Sequence, residues 1–134
     1  MSIEQFRAEV VTAIEQWRLA NFPDMDVVYE NSPAPEEDKI SSPWLDVEIR
    51  WYGGAQVAIG APRAGRYSGV VSVKCFTRAG EGTQQADRIG DSLQAALAGF
   101  RTTGAWLDFP EPYTPNTALG WHKRGLMFPF KLSV

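Results

Sequence analysis

Residues 44–52 alternate between apolar and polar side chains, and this stretch limits the fold more than any other. The charged residues Asp46, Glu48 and Arg50 point to one side of an extended chain. The apolar residues between and beside them point to the other side, and they are Leu45, Val47, Ile49 and Trp51. Such alternation predicts a strand in a sheet with one buried face and one face against water.

Further segments predict neighbouring strands. Residues 27–30 fit a short strand, and residues 56–59 fit another after a tight turn at Gly53-Gly54. Residues 67–77 alternate again, and residues 105–109 fit a short strand before a stiff loop that contains Pro110, Pro112 and Pro115. The last strand is predicted at residues 126–133, where Pro129 indicates a sheet edge or a bulge because proline cannot donate to a strand ladder.

Two segments have helical spacing. Residues 3–20 repeat apolar side chains every three or four positions, after a capping box formed by Ser2 and Gln5. A second helix begins near Thr83, and its apolar stripe comprises Ala86, Ile89, Leu93, Ala96, Leu97 and Phe100. The order of elements predicts an α+β fold, with a mainly antiparallel sheet of about four to five strands and two helices packed on one face.

The length of 134 residues is typical of a single domain, which we place at residues 1–134. Two stretches rich in proline, glycine and charge, near residues 31–43 and 60–66, are predicted to be mobile surface loops. The net charge of −3 disfavours direct nucleic-acid recognition, which usually needs a basic face. No segment has the length of apolar sequence that spans a bilayer, so no membrane partner is expected.

The single cysteine, Cys75, cannot pair within the chain, which is typical of a reducing compartment. The N-terminus lacks the basic and apolar pattern of a signal peptide, so we expect synthesis and assembly in the cytoplasm. Cys75 lies on the apolar face of its strand and is interpreted as a small buried hydrophobe. His122 has no companion ligand at a spacing suited to a metal, and no partner for nucleophilic catalysis.

The glycines of residues 80–83 connect a strand to a helix, a place that can bind phosphate. The P-loop lysine is missing, so the pattern indicates a turn with an N-cap at Thr83. No catalytic residue, metal or cofactor is therefore predicted, and the chain is not expected to be an enzyme. Five tryptophans in this length favour interfaces as well as a core, and Trp44, Tyr52 and Met127 are predicted on the uncovered face of the sheet.

Several features together resemble a known family. They are the N-terminal amphipathic helix, the strand at residues 44–52, the run at residues 69–76, Gly80-x-Gly82 before a helix, and a closing Pro129-Phe130 strand. Over nearly its whole length the chain resembles tail-terminator and minor tail proteins of long-tailed bacteriophages, including those of prophages. The resemblance implies a structural protein of the virion tail that assembles in the bacterial host cytoplasm. It implies a ring, commonly six-fold, with three partners: other copies of itself, the tail tube protein and a head-completion protein.

Arginine is enriched at interfaces, and four arginines lie in or beside the predicted loops. Arg50, Arg63, Arg66 and Arg78 are therefore predicted interface residues, with ordinary solvated arginines as the alternative. Two other functions remain open at this level. One is another neck, head-closure or minor tail component. The other is a small ligand-binding domain or enzyme that uses a concave pocket on the open sheet face, around Asp46, Glu48, Arg50 and Lys74.

Overall fold

The computed structural model describes residues 1–30, 40–56, 65–80, 83–102, 104–115 and 120–134. Its elements follow one another as α1 (Ile3–Asn21), β1 (Asp26–Tyr29), β2 (Trp44–Gln56), β3 (Gly65–Arg78), α2 (Gln84–Leu97), β4 (Ala105–Leu107), β5 (Glu111–Tyr113) and β6 (Trp121–Ser133). The predicted α+β class is confirmed. Neither of the two described helices has the length and apolar character needed to span a bilayer.

The strands form a six-stranded sheet in the order β1-β2-β3-β6-β4, with β5 also paired to β6. The β1–β2 pairing is parallel, and every other pairing is antiparallel. The sheet is therefore mainly antiparallel, but it is mixed and larger than the predicted four to five strands. The additional strand is β5, in the segment predicted to be a stiff loop. Residues 111–113 form a strand there because they pair with residues 125–127 of β6, despite Pro112.

Gly53 and Gly54 do not form the predicted turn. Strand β2 continues through them, and its end pairs with the start of β3 at Ala55↔Arg66. The register shifts between Trp51 and Gly53, so the glycines accommodate a β-bulge, a common role for glycine within a strand. A side chain at Gly54 would come within 2.8 Å of the Tyr67 ring. The predicted strand at residues 56–59 lies, beyond its first residue, outside the described residues.

The two predicted loops lie mostly outside the described residues. Of residues 31–43, only the part from Ile40 onward is described, and Ile40 is buried. Of residues 60–66, the described part belongs to β3, so Arg66 lies in a strand and not in a loop.

Strand β6 is longer than predicted and lies inside the sheet, with β3 on one side and the short strands β4 and β5 on the other. The predicted edge position of Pro129 is therefore wrong. The Asp108 N–H donates to the Pro129 carbonyl at 2.7 Å, at the break between β4 and β5. Since the N and C=O of one strand residue point to the same side, the nitrogen of Pro129 faces this break, where no ladder donor is needed.

Both helices cover the same face of the sheet. The predicted capping box is confirmed, because the Gln5 N–H donates to Ser2 Oγ and the Ser2 N–H donates to Gln5 Oε1. The indole N–H of Trp17 in α1 donates to Ser92 Oγ in α2 at 3.0 Å, which joins the two helices. The core between helices and sheet includes Phe6, Val10, Ile14, Leu45, Val71, Ile89, Leu93, Phe128, Phe130 and Leu132.

Helix α2 begins as predicted, but its local details differ. Thr83 occupies the N-cap position without a side-chain capping hydrogen bond. Ala96 is exposed instead of joining the apolar stripe. Gly90 is buried, and a side chain at this position would come within 2.6 Å of the Arg124 guanidinium. A glycine here therefore leaves room for the Arg124 side chain of β6 to pack against α2.

Candidate protein-interaction surface

We call the sheet face opposite the helices the outer face. The register pairs Asp46 with Lys74 and Glu48 with Ser72 across β2 and β3, so these polar side chains share this face as predicted. Burial raises the pKa of the Asp46 carboxyl, Lys74 opposes that shift, and Glu48 adds to it. Ser72 is buried because Tyr113 of β5 lies beside it, with 2.8 Å between the two hydroxyl oxygens.

One end of the outer face carries a second apolar cluster. We call it the aromatic cluster, and it comprises Ile40, Trp44, Phe76 and Trp121. The Trp44 and Phe76 rings are stacked with centroids 3.9 Å apart, and Trp121 meets Trp44 edge-on. Trp44 lies on the uncovered face as predicted, but it is only 7% exposed because the other members of the cluster cover it. Its indole N–H is buried and has no hydrogen-bond partner among the described residues.

The Arg78 side chain packs over the aromatic cluster. Its guanidinium lies 4.2 Å from the centre of the Trp121 ring and donates to the Ile40 carbonyl at 3.3 Å. Its backbone N–H donates to Ser42 Oγ. Stacking on an aromatic face is favourable for a guanidinium, so Arg78 contributes to the packing of its own chain.

The predicted interface arginines do not converge. Arg66 and Arg78 lie at opposite ends of β3, roughly 40 Å apart at about 3.3 Å per residue. Arg66 lies over the Trp106 ring at 5.4 Å, so it too packs within its own chain. Arg63 lies outside the described residues. Arg50 is exposed on the outer face, and its one ion pair among the described residues is with Glu48 at 3.3 Å. It is therefore the best placed of the three described arginines to meet a partner.

On the β2 side of the sheet, the described residues leave part of the edge unpaired. Strand β1 pairs only with residues 44–47 of β2. Beyond it, Glu30 Oε1 accepts the Ile49 N–H at 2.6 Å and also pairs with Arg7 at 2.8 Å, which ends the ladder. From Arg50 onward, no described residue pairs with this side of β2, and Tyr52 there is 66% exposed. We call residues 50–55 the β2 edge.

The opposite side of the sheet is closed in part. The outer side of β4 is occupied, because the Leu107 N–H donates to the Phe100 carbonyl and the Thr102 N–H donates to the Ala105 carbonyl. The segment that follows is not covered by any described strand. It contains Asp108, Phe109 and Glu111, which are all exposed, with Phe109 at 69%. We call residues 108–113 the β5 edge. A lone aromatic between an aspartate and a proline is a weak sequence signal, and it did not predict this edge.

The described residues include the two candidates for chemistry that the sequence raised, Cys75 and His122. No group of three His, Cys, Asp or Glu residues there could hold a metal ion. Burial raises the pKa of the Cys75 thiol to about 12, which keeps it protonated and unreactive. His122 is half-buried and lines an open groove of about 470 Å³ at the start of α2, together with Lys123 and Arg124.

Arg124 is already engaged in that groove. Its guanidinium donates to the Asp87 carbonyl at 2.8 Å and pairs with the carboxylates of Asp87 and Asp91 at 3.3 and 3.2 Å. Lys123, the other cation beside His122 in the sequence, lies 5.0 Å over the Phe76 ring on the outer face. A second open groove, of about 440 Å³, lies beside α1 and is lined in part by Glu9 and Phe100.

Comparisons with known proteins establish the fold and no function. No protein-family model matches the chain, and no curated protein matches it. Twenty solved chains are similar to it. One of them, a protein that carries no functional name, aligns with 98% of this chain and 96% of its own length, with a TM-score of 0.73 and 19% sequence identity. At that identity the likeness extends to the architecture alone.

Proposed function

We propose that this chain is a structural protein of a bacteriophage tail that forms a ring, caps the tail tube and joins it to a head-completion protein. The observation that supports this function best is the pair of sheet edges that no described strand covers. The β2 edge and the β5 edge lie on opposite sides of one sheet, and each carries a large aromatic side chain that is about two-thirds exposed.

A ring needs two different surfaces on each subunit, because a head-to-tail contact closes around an axis only when one surface of each copy meets another surface of the next. Two unlike edges on opposite sides of a sheet supply such a pair. The two helices cover one face of the sheet, and the part of the outer face away from the two edges is left for partners other than the neighbouring copy. A cap on a growing tube also needs one surface that binds the tube end and another surface that does not bind a further tube subunit.

The charge pattern of the outer face suits specific docking to a protein. Asp46 and Glu48 are two neighbouring anions on β2, and the cation Lys74 lies across from Asp46 on β3. Mixed charge of this kind favours one orientation of a partner more than it adds affinity. The ring, the tail tube protein and the head-completion protein are thus the partners in this proposal, and the virion tail is its location.

The first experiment measures the mass of the purified protein over a wide concentration range, with and without phage tail tubes. The proposal expects a closed ring, or a monomer that assembles only on tube ends, where electron microscopy would show one cap per tube. Tubes polymerised in its presence should stop at a limited length. A monomer at every concentration that leaves tube ends bare would refute the proposal. Binding to the head-completion protein but not to tubes would instead assign it to the neck.

A matched pair of variants makes this test specific to the sheet edge. Tyr52 and Leu19 are both large exposed apolar residues, at 66% and 61%, but only Tyr52 lies on a sheet edge. Tyr52→Ala is expected to weaken assembly, and Leu19→Ala on α1 is expected to leave it unchanged. Circular dichroism would verify that both variants keep the native fold.

A further inference from the structure

We infer that neighbouring copies of this chain meet head-to-tail, with the β2 edge of one copy against the β5 edge of the next. In this contact Arg50 pairs with Asp108 and Glu111, and Tyr52 packs against Phe109. The inference rests on the proposed ring and names the surfaces that build it.

The sheet register places the opposite charges at the two ends of one row of paired residues that runs across the strands. Arg50 of β2 pairs with Val70 of β3, and Val70 pairs with Pro129 of β6. The Asp108 N–H in turn bonds the Pro129 carbonyl. Three strand spacings of about 4.8 Å separate Arg50 from Asp108, which is roughly 14 Å. The two side chains cannot meet within one copy, but a second copy that continues the row brings them together.

The charges on the two edges are complementary. Arg50 is the cation of the β2 edge, and its pair with Glu48 is 45% and 44% exposed, so it exchanges partners at little cost. The β5 edge carries Asp108 and Glu111, which are exposed and form no ion pair within the described part of the chain. Two unpaired carboxylates opposite one cation favour the head-to-tail contact over contacts of either edge with itself.

Tyr52 and Phe109 supply the apolar part of the contact. Large aromatic side chains near the centre of an interface commonly carry most of its binding energy. The β5 edge contains Pro112, which lacks a backbone N–H and blunts strand addition. The two copies therefore join through side chains, without a continuous hydrogen-bonded ladder between β2 and β5.

Single-cysteine cross-linking tests the geometry directly. The only native cysteine, Cys75, is buried and protonated, so it contributes little background. Tyr52→Cys and Phe109→Cys would be prepared separately and together and treated with a short bis-maleimide under conditions of assembly. A mixture of the two single variants should give covalent dimers, whereas each variant alone should not. The double variant should give a ladder that ends at the ring.

Charge reversal tests the electrostatic part of the proposed contact between copies. Arg50→Glu should raise the concentration needed for assembly by about ten-fold or more, because it brings like charges together at the contact. A triple variant that adds Asp108→Lys and Glu111→Lys to Arg50→Glu should recover assembly, because it restores opposite charges at the contact. Arg88→Glu, at an exposed arginine on α2, is the matched control and should assemble like the unaltered protein.

The outcomes separate this inference from the proposed function. Rings or tube caps that form without a Tyr52→Cys to Phe109→Cys cross-link, or that are unaffected by Arg50→Glu, would overturn the edge contact and leave the ring intact. Cross-linking of either single variant with itself would overturn the head-to-tail arrangement. Absence of any assembly, free or on tubes, would overturn both proposals.

Discussion

Two buried tryptophans give a sharp test of the packing on the two faces of the sheet. Trp44 in the aromatic cluster is 7% exposed, and Trp17 in the main core is 6% exposed. Their burial is nearly equal, but their hydrogen bonding is not. The Trp17 indole donates to Ser92 Oγ, whereas the Trp44 indole N–H has no partner in the part of the chain that the structure describes. Substitution of each by phenylalanine isolates that difference.

The expected magnitude follows from these hydrogen bonds. Each substitution removes a similar aromatic area, so that cost is common to both and cancels in the comparison. Trp17→Phe also loses a hydrogen bond with a net contribution of about 1 kcal/mol. Trp44→Phe instead removes a buried donor that no described residue satisfies, which relieves a desolvation cost of about 1–3 kcal/mol. Phenylalanine can still stack on Phe76, so Trp44→Phe should be less destabilising than Trp17→Phe by about 2 kcal/mol or more.

Urea unfolding of the two variants and the unaltered protein, followed by far-ultraviolet circular dichroism, would measure the difference in free energy of unfolding. Circular dichroism is preferable to fluorescence because each substitution removes one of the emitting tryptophans. Equal destabilisation by the two substitutions, or a larger loss for Trp44→Phe, would refute the assignment of an unsatisfied indole N–H in the aromatic cluster.

Two further predictions concern stability. Gly125→Ala should destabilise the protein by about 1–3 kcal/mol in urea unfolding, because the new side chain would collide with the Tyr113 ring that covers this position. At Gly53 a new Cβ would have no atom within 4 Å, so Gly53→Ala should change the free energy of unfolding by no more than about 0.5 kcal/mol. Equal effects of the two substitutions would contradict the packing of Tyr113. Burial raises the pKa of Cys75 to about 12, so its contribution to stability is complete below about pH 8.5 and is lost as the pH rises toward the folded pKa. Cys75→Ala should accordingly reduce the fall in free energy of unfolding between about pH 9 and 11, and an unchanged slope would show that this thiol does not titrate differently on folding.

Local features of the chain could be predicted from the sequence. The capping box of Ser2 and Gln5 and the apolar spacing of residues 3–20 depend only on neighbours within one or two helical turns, and α1 appears where they place it. The alternation from Leu45 to Trp51 assigns the two faces of β2 correctly, since side-chain direction along a strand is fixed by the pleat. The burial of Cys75 follows from the same alternation on β3.

Only the tertiary structure decided which surfaces come together and which stay open. Gly53-Gly54 is a turn signal by composition, but pairing of β2 with β3 beyond it converts it into a bulge. The interior place of β6 depends on β4 and β5, which are short and held by contacts distant in sequence. The same holds for the arginines: Arg66 and Arg78 are engaged by aromatic rings contributed by other strands, while Arg50 is left exposed. Composition and spacing cannot determine such placements, because they depend on strand register across the sheet, which is set by the packing of the whole domain.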